Sequence, residues 1–396
     1  MPVTTSIGFS FEADGYTAAE EAVAQAKSNI PAQRYDLALV FSTPHYDPEE
    51  FLPVIFDSFE QTRVIGCSTA GIILPDRTED RGIAVMPLSS ETIRFDAKQI
   101  THIKLQEMRS AGRSLAKDCM TDFGFSYRKM FFFFIDGLNQ NIPSFTEGIH
   151  DQLGKTFPIF GAGSSGDARF EKIFQFFQQK AQNDSAVGVM LGGSFQMGVS
   201  ARHGWKPLGK PRIITDCSNN IIKTIDQEPA INLYKEFLKE EVQEFNRQPL
   251  SLINVRYPLG IPLGSHNEYL IRNTNQTLDD GSIVCQDKVT NGAEVHIMIG
   301  SKESCLLATQ EAAEEVKVQL AGRKPQLILI FQSLMRHKLL GRASKEEISI
   351  IKKTLGDDIP LFGMLSLNET ITSNFHSEQL IKTETQNSNI VILAVC

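Results

Sequence analysis

"FPIFGAGSSGD", residues 157–167, decides how this chain is read. A short apolar run ends in Gly161-Ala162-Gly163-Ser164-Ser165-Gly166. That is the G-x-G-x-x-G spacing, which cradles a dinucleotide pyrophosphate when it follows a strand and opens directly into a helix. Here Asp167-Ala168-Arg169 intervene, and Ile173 to Lys180 reads as strand as easily as helix. Two other stretches occupy the same position: Val64-Ile65-Gly66-Cys67-Ser68-Thr69-Ala70-Gly71 and Leu361-Phe362-Gly363-Met364-Leu365-Ser366. Ser68 and Leu365 stand where Gly163 would be. What recurs is one glycine at the end of a strand, not the dinucleotide fingerprint.

The recurrence extends outward. Asp36 to Ser42, Lys129 to Asp136 and Pro325 to Ser333 are short apolar runs bounded by polar residues, the pattern of strands buried on both faces. Each leads to a helix-start signal: Asp47-Pro48-Glu49-Glu50, Ser144-Phe145-Thr146-Glu147 and Ser344-Lys345-Glu346-Glu347. Gly82 to Met86, Val187 to Leu191 and Ile390 to Val395 supply a further strand after each glycine. An alternating strand and a helix precede each copy: Ser6 to Phe11 with Ala18 to Lys27, Thr92 to Asp96 with Leu105 to Cys119, and Val295 to Ile299 with Cys305 to Leu320. The chain therefore reads as α/β, a β-α-β-α-β-β unit repeated three times with helices flanking buried sheets. Phe195 to Asn291 reads differently, as strands with one helix near Pro229 to Phe245.

Composition narrows the function. A chain of 396 residues divides into two domains or more. Its 41% hydrophobic and 22% charged residues are those of a water-soluble globular protein. Net charge −8 and a pI near 5.6 argue against nucleic acid, which is held by clustered Lys and Arg. No apolar run approaches the ~20 residues that span a bilayer, and the first residues lack a secretory pattern. The six cysteines are scattered without C-x-x-C, as expected of reduced thiols in a cytoplasm. Zinc-type ligand spacing is absent, although a single axial His for haem needs no motif.

Several residues are candidates for chemistry. Cys67, between Gly66 and Ser68, is either a nucleophile of a hydrolase or transferase or a small residue filling a tight turn; its counterparts are Ala162 and Met364. Ser68, Thr69, Ser164, Ser165 and Ser366 follow strand ends, where parallel sheets bind ligands; turn chemistry alone also favours them. Arg336 and Glu369 are expected at one end of the C-terminal half beside Gly363 and Ser366, offering a positive and a negative group to a ligand.

The order of these motifs resembles the FIST family, a sensory module named for F-box proteins and intracellular signal transduction. Its landmarks are matched by Gly66-Cys67-Ser68-Thr69-Ala70-Gly71, by Phe160 to Asp167, and by Gly204-Trp205-Lys206-Pro207-Leu208-Gly209. They continue with Tyr257-Pro258-Leu259-Gly260, Tyr269-Leu270-Ile271-Arg272, Arg336 with Gly341, Glu346-Glu347, and Phe362-Gly363 with Glu369. Ile72 stands where the family usually has Glu, Ser333 where a Cys often precedes the Arg, and Met364 to Glu369 where an aromatic "YTYGE" turn is usual. The resemblance implies an N-terminal domain over 1–200 and a C-terminal domain over 201–396. It implies a small-ligand sensor, with amino acids as the ligands proposed for the family. One branch resembles a haem-binding, nitric-oxide-responsive protein that regulates a histidine kinase or a cyclic-dinucleotide enzyme. No F-box, kinase or receptor segment is recognisable, so output is expected to pass through a separate signalling partner.

Overall fold

A computed structural model describes residues 3–30, 34–123, 127–139, 141–166, 173–238, 252–263, 268–373 and 382–396. Its helices and strands build an α/β fold with several mixed sheets. Three units share one plan. In the first, strands Leu37–Ser42 and Arg63–Ser68 are parallel, joined across helix Pro48–Ser58. In the second, Arg128–Asp136 and Ile159–Ser164 are parallel across helix Ile142–Leu153. In the third, Leu327–Ser333 and Leu361–Ser366 are parallel across helices Leu334–Leu340 and Ser344–Leu355. The registers coincide: Val40 lies opposite Gly66, Phe133 opposite Gly161, and Ile330 opposite Gly363.

Each first parallel strand pairs on its other side, antiparallel, with the unit's last strand: Ile83–Ser89, Ala186–Gly193 or Ile390–Val395. The unit's opening strand lies outside that one. It is Gly8–Ser10 in the first unit, Ile93–Ile100 in the second and Met197–Arg202 in the third. Val295 to Ile299, expected to open the third unit, instead belongs to another sheet. Its position just before helix Lys302–Gln319 mimics the repeat, but about a hundred residues are inserted between the true opening strand and that helix. The insert is an antiparallel sheet whose strands include Lys206–Ser218, Leu259–Pro262, Tyr269–Arg272, Ile283–Cys285 and Glu294–Ile299. Helix Ile231–Leu238 covers the expected start of its helix; the rest of that expected span, from 239, lies outside the described residues.

The free edge of each second parallel strand is covered by a hairpin from a different unit. The hairpin Ile72–Ile73 with Thr78–Glu79 leaves the first unit and pairs with Leu361–Ser366 of the third. Gln175–Phe177 with Lys180–Gln182 leaves the second and pairs with Arg63–Ser68 of the first. Glu369–Ser373 with Lys382–Gln386 leaves the third and pairs with Ile159–Ser164 of the second. The three donations close a ring.

Alternate residues of the parallel strands explain their apolar runs. Leu37, Leu39 and Phe41, with Met130, Phe132 and Phe134 and with Leu327, Leu329 and Phe331, face one shared core. The residues between them face the helices outside. Phe41, Phe134 and Phe331 hold equivalent positions and meet edge-on, with centroids 5.5, 5.7 and 6.5 Å apart. The helix starts are less uniform than the repeat suggests. Asp47 accepts a bond from Glu49 N–H, with Pro48 at the first helical position. Ser144 and Ser344 cap nothing. The second helix begins earlier, at Ile142, and the N–H of Ser344 is taken by Gly341 in the preceding turn.

The recurring glycine has a steric cause. A Cβ on Gly66 would lie 1.7 Å from Val40 O, one on Gly161 2.4 Å from the Phe133 ring, and one on Gly363 2.1 Å from Ile330 O. Each parallel pair closes only because a hydrogen stands there. Gly363→Ala is therefore expected to destabilise the protein by about 1–3 kcal/mol. That would show as a lower urea midpoint with unchanged slope. An unchanged midpoint would show that the strand pair yields freely and that the glycine is not required.

Candidate functional site

The strand ends of the three units meet. Ser164 and Ser366 are fully buried, and Ser68 nearly so. Ser68 Oγ donates to Ser165 O at 3.1 Å and accepts the Phe174 N–H at 2.9 Å. Ser165 Oγ donates to Leu365 O at 2.5 Å and accepts the Ala70 N–H. Thr69 Oγ1 donates to the same carbonyl at 2.8 Å. Ser164 Oγ and the Gln175 amide meet at 2.6 Å, the amide oxygen accepting from Ser164 and from Asp136 N–H. Ser366 Oγ donates to Glu369 Oε1 at 2.5 Å. These hydroxyls are brought together, but Ser68, Thr69 and Ser165 spend their bonds stitching one unit to the next.

Gln175 and Glu369 are equivalent, each the first residue of its donated hairpin. Each reaches back to the terminal serine of its own unit, Ser164 or Ser366. Ile72 opens the first unit's hairpin and has no such bond to make.

Arg336 does not join Glu369. It lies on helix Leu334–Leu340, which Ser333 caps through the Met335 N–H. Its guanidinium, fully buried, pairs with Glu347 at 2.7 and 2.8 Å and donates to Thr309 Oγ1 at 2.9 Å and to the carbonyls of His203 and Cys305. Gln332 also donates to Glu347. A guanidinium with five donors finds enough acceptors here to stay charged in the interior. Glu347, legible in sequence as one of two helix-start acids, is thus a buried counterion.

Glu369 has a different setting. Its Oε2 accepts the Asn389 N–H at 3.2 Å. Burial raises its carboxyl to about 8; the bonds from Ser366 and Asn389 and the charge of Arg336 oppose the rise, and Asp287 adds to it.

Asp287 belongs to the inserted sheet and marks a polar seam where that sheet meets the third unit. Asn387 Nδ2 donates to Asp287 Oδ2 at 2.8 Å, Asn273 Nδ2 to Asn387 O at 2.7 Å, and Gln286 Nε2 to Leu367 O at 2.8 Å. Arg272 donates to Thr385 O and Lys288 O. Ser388 Oγ donates to Asn273 Oδ1. Burial raises the Asp287 carboxyl, and Arg272 opposes it. Sequence reading passes over Asp287, Asn387 and Asn389. The one signal is Gln386-Asn387-Ser388-Asn389, a polar run against the last apolar strand, which reads as an exposed turn.

Cys67 is fully buried, and burial raises its thiol well above the usual range. Its Sγ lies 3.3 Å from Met364 Sδ. A protonated thiol packed on a thioether fills the core rather than attacking a substrate. Two cavities open at the opposite ends of the parallel strands. One of about 400 Å³ is bordered by Tyr127, Lys129, Phe195 and Met197; a smaller one of about 140 Å³ is bordered by Met130, Phe160, Met197 and Val199. No histidine borders either, and the partly buried His203 is pushed down to about 3 by loss of water around its ring and by Arg336 and Arg202. A haem does not fit these two cavities as they are lined. Among the described residues, no helix is long and apolar enough to cross a membrane, and no cluster of three or more His, Cys, Asp or Glu could hold a metal.

Glu369 gives a pH signature. Folded, it keeps its proton up to about pH 8; unfolded, it loses it near the ordinary glutamate value. Its contribution to stability is full below that ordinary value and is lost as pH rises through about 8. Melting temperatures of the wild type should therefore fall more steeply between about pH 5 and about pH 8 than those of Glu369→Gln, which is neutral throughout. Parallel curves would show that Glu369 titrates normally.

Two family models match the chain: the FIST N domain over residues 36–228 and the FIST C domain over residues 230–371. FIST domains are associated with sensory roles in signal transduction. An uncharacterized protein of Methanocaldococcus jannaschii is 26% identical over 218 residues, which cover 51% of this chain and 40% of that protein. The chain thus spans about two fifths of that relative's length. An uncharacterized protein of Mycobacterium tuberculosis is 24% identical over 381 residues, covering 92% of this chain and 93% of its own. Among solved structures, PurLQS from Thermotoga maritima aligns with TM-score 0.24 at 8% identity, covering 99% of this chain and 72% of that one. PurL of the same organism complexed with ATP aligns with TM-score 0.22 at 8% identity, covering 83% and 73%. At such scores neither likeness bears on the fold.

Proposed function

Because the chain belongs to the FIST family, with its N domain and C domain in one polypeptide, we propose that it senses a small molecule and reports to a separate signalling protein. The observation that carries this reading is the buried polar seam between the inserted sheet and the third unit. Cores exclude polar groups unless they are satisfied or used. This seam gathers Asp287, Asn273, Asn387, Asn389 and Glu369 where two sheets of different origin meet. A ligand bound there touches both and biases how they sit together, the differential contact a sensor needs. Small polar molecules such as amino acids suit the setting. The output goes to a partner such as a histidine kinase or a cyclic-dinucleotide enzyme in the cytoplasm. Neither the haem reading nor the Cys67 hydrolase has an observation in its favour comparable to the seam.

A melting-temperature screen of the full chain against amino acids and related metabolites, with native mass spectrometry of the purified protein, tests the proposal. A ligand at a hundredfold its Kd stabilises the folded state by about 2.7 kcal/mol. At least one compound should raise the melting temperature by several degrees, and Asp287→Asn should reduce that shift. A bare-chain mass together with no shift from any compound would overturn the reading.

A further inference from the structure

Among the described residues, four side-chain oxygens in the seam find no partner: Asp287 Oδ1, Asn387 Oδ1, Asn389 Oδ1 and Gln386 Oε1. The first three residues are 0, 0 and 1% exposed. Nearby groups hold them in place. Asp287 Oδ2 is bonded by Asn387 Nδ2 at 2.8 Å, and the Asn389 N–H is bonded to Glu369 Oε2 at 3.2 Å. All four unpartnered atoms are acceptors, so what they lack is a donor. Water would place lone pairs as well as protons among them. A group with donors alone matches the seam better.

Charge points the same way. Arg336 is neutralised by Glu347. Arg272 acts on Asp287 with opposite charge. Glu369, fully buried, is bonded by a hydroxyl and an amide but makes no ion pair among the described residues. Burial holds its carboxyl protonated, and one positive charge beside it would let it ionise. An ammonium brings one charge and three N–H donors with no acceptor. A calcium ion would need about six to eight oxygens and more negative charge than this seam has.

We infer that the seam holds the primary ammonium group of a small amine, donating to Asp287 Oδ1, Asn387 Oδ1 and Asn389 Oδ1 and balanced by the carboxylate of Glu369. The inference rests on the small-ligand reading above and specifies the group that is gripped. It carries a proton linkage. The groups facing Glu369 are Ser366 on its own side, Asn389 before the last strand, Arg336 on the adjoining helix, and Asp287 of the inserted sheet with Arg272 beyond it. With its carboxyl raised to about 8, Glu369 carries a proton below that pH, and binding a cation releases it. Affinity should then rise about tenfold per pH unit from about pH 6 to about pH 7.5.

The test titrates the full chain by calorimetry and thermal shift with methylammonium and the common L-amino acids. Each is set beside its N-acetylated counterpart, with calcium chloride and sodium chloride as separate arms. Free amines are expected to bind and to release about one proton each near pH 7, while the acetylated forms bind at least about tenfold more weakly. Glu369→Gln and Asn389→Ala should each weaken binding by about tenfold or more, with unchanged circular dichroism; if one fails to fold, the other carries the test. Equal binding of an acetylated form, or a shift from the metal salts alone, would overturn the ammonium assignment and leave a ligand-binding seam standing. If no member of any pair binds and no salt acts, the ammonium site and the small-ligand reading fall together.

Discussion

The sheet of each of the three repeated units is completed by a hairpin that belongs to another unit. The second parallel strand of every unit would otherwise present a row of unpaired N–H and C=O groups, and buried backbone groups must be paired. The first unit completes the third, the second completes the first, and the third completes the second. No unit has a whole sheet by itself. The ring of donations forces the inner faces together, which is why Phe41, Phe134 and Phe331 meet in one core.

The same ring decides what the strand ends can do. In an open parallel sheet, the carboxyl ends of the strands face a crevice. Here three such ends converge on one another, and Ser68, Thr69 and Ser165 are consumed by bonds between units. Polar capacity is displaced to where symmetry fails. The insert of an antiparallel sheet into the third unit puts Arg272, Asn273 and Asp287 against Glu369 and Asn387 to Asn389. The first unit has Ile72, and the second Gln175, where the third has Glu369. Only the third hairpin therefore carries an ionisable group at that position.

Much of the fold was legible in the chain. The apolar runs, the recurring glycine and the strand-helix-strand order reflect local packing against a neighbour close in sequence, and local packing leaves a local pattern. The candidate site was legible in part. Ser366 and Glu369 stand out in the chain because they follow a recurring strand end. Arg336 stands out too, but the sequence sets it beside Glu369, while its counterion Glu347 reads only as a helix-start acid. Asp287, Asn387 and Asn389 escaped notice because a buried polar turn and an exposed one have the same composition.

Three copies of a unit, the glycines at which parallel strands close, and the family are all written in the chain's local pattern. Which sheet each hairpin joins, that Met197–Arg202 rather than Val295 to Ile299 opens the third unit, and which acid neutralises Arg336 emerge only from the folded chain. The physical reason is separation along the chain. Side-chain periodicity is set by the face a residue shows to its own element's neighbours. Hydrogen bonds such as Glu369 to Asn389 or Asn387 to Asp287 join segments whose residues show no mutual pattern until the chain has folded.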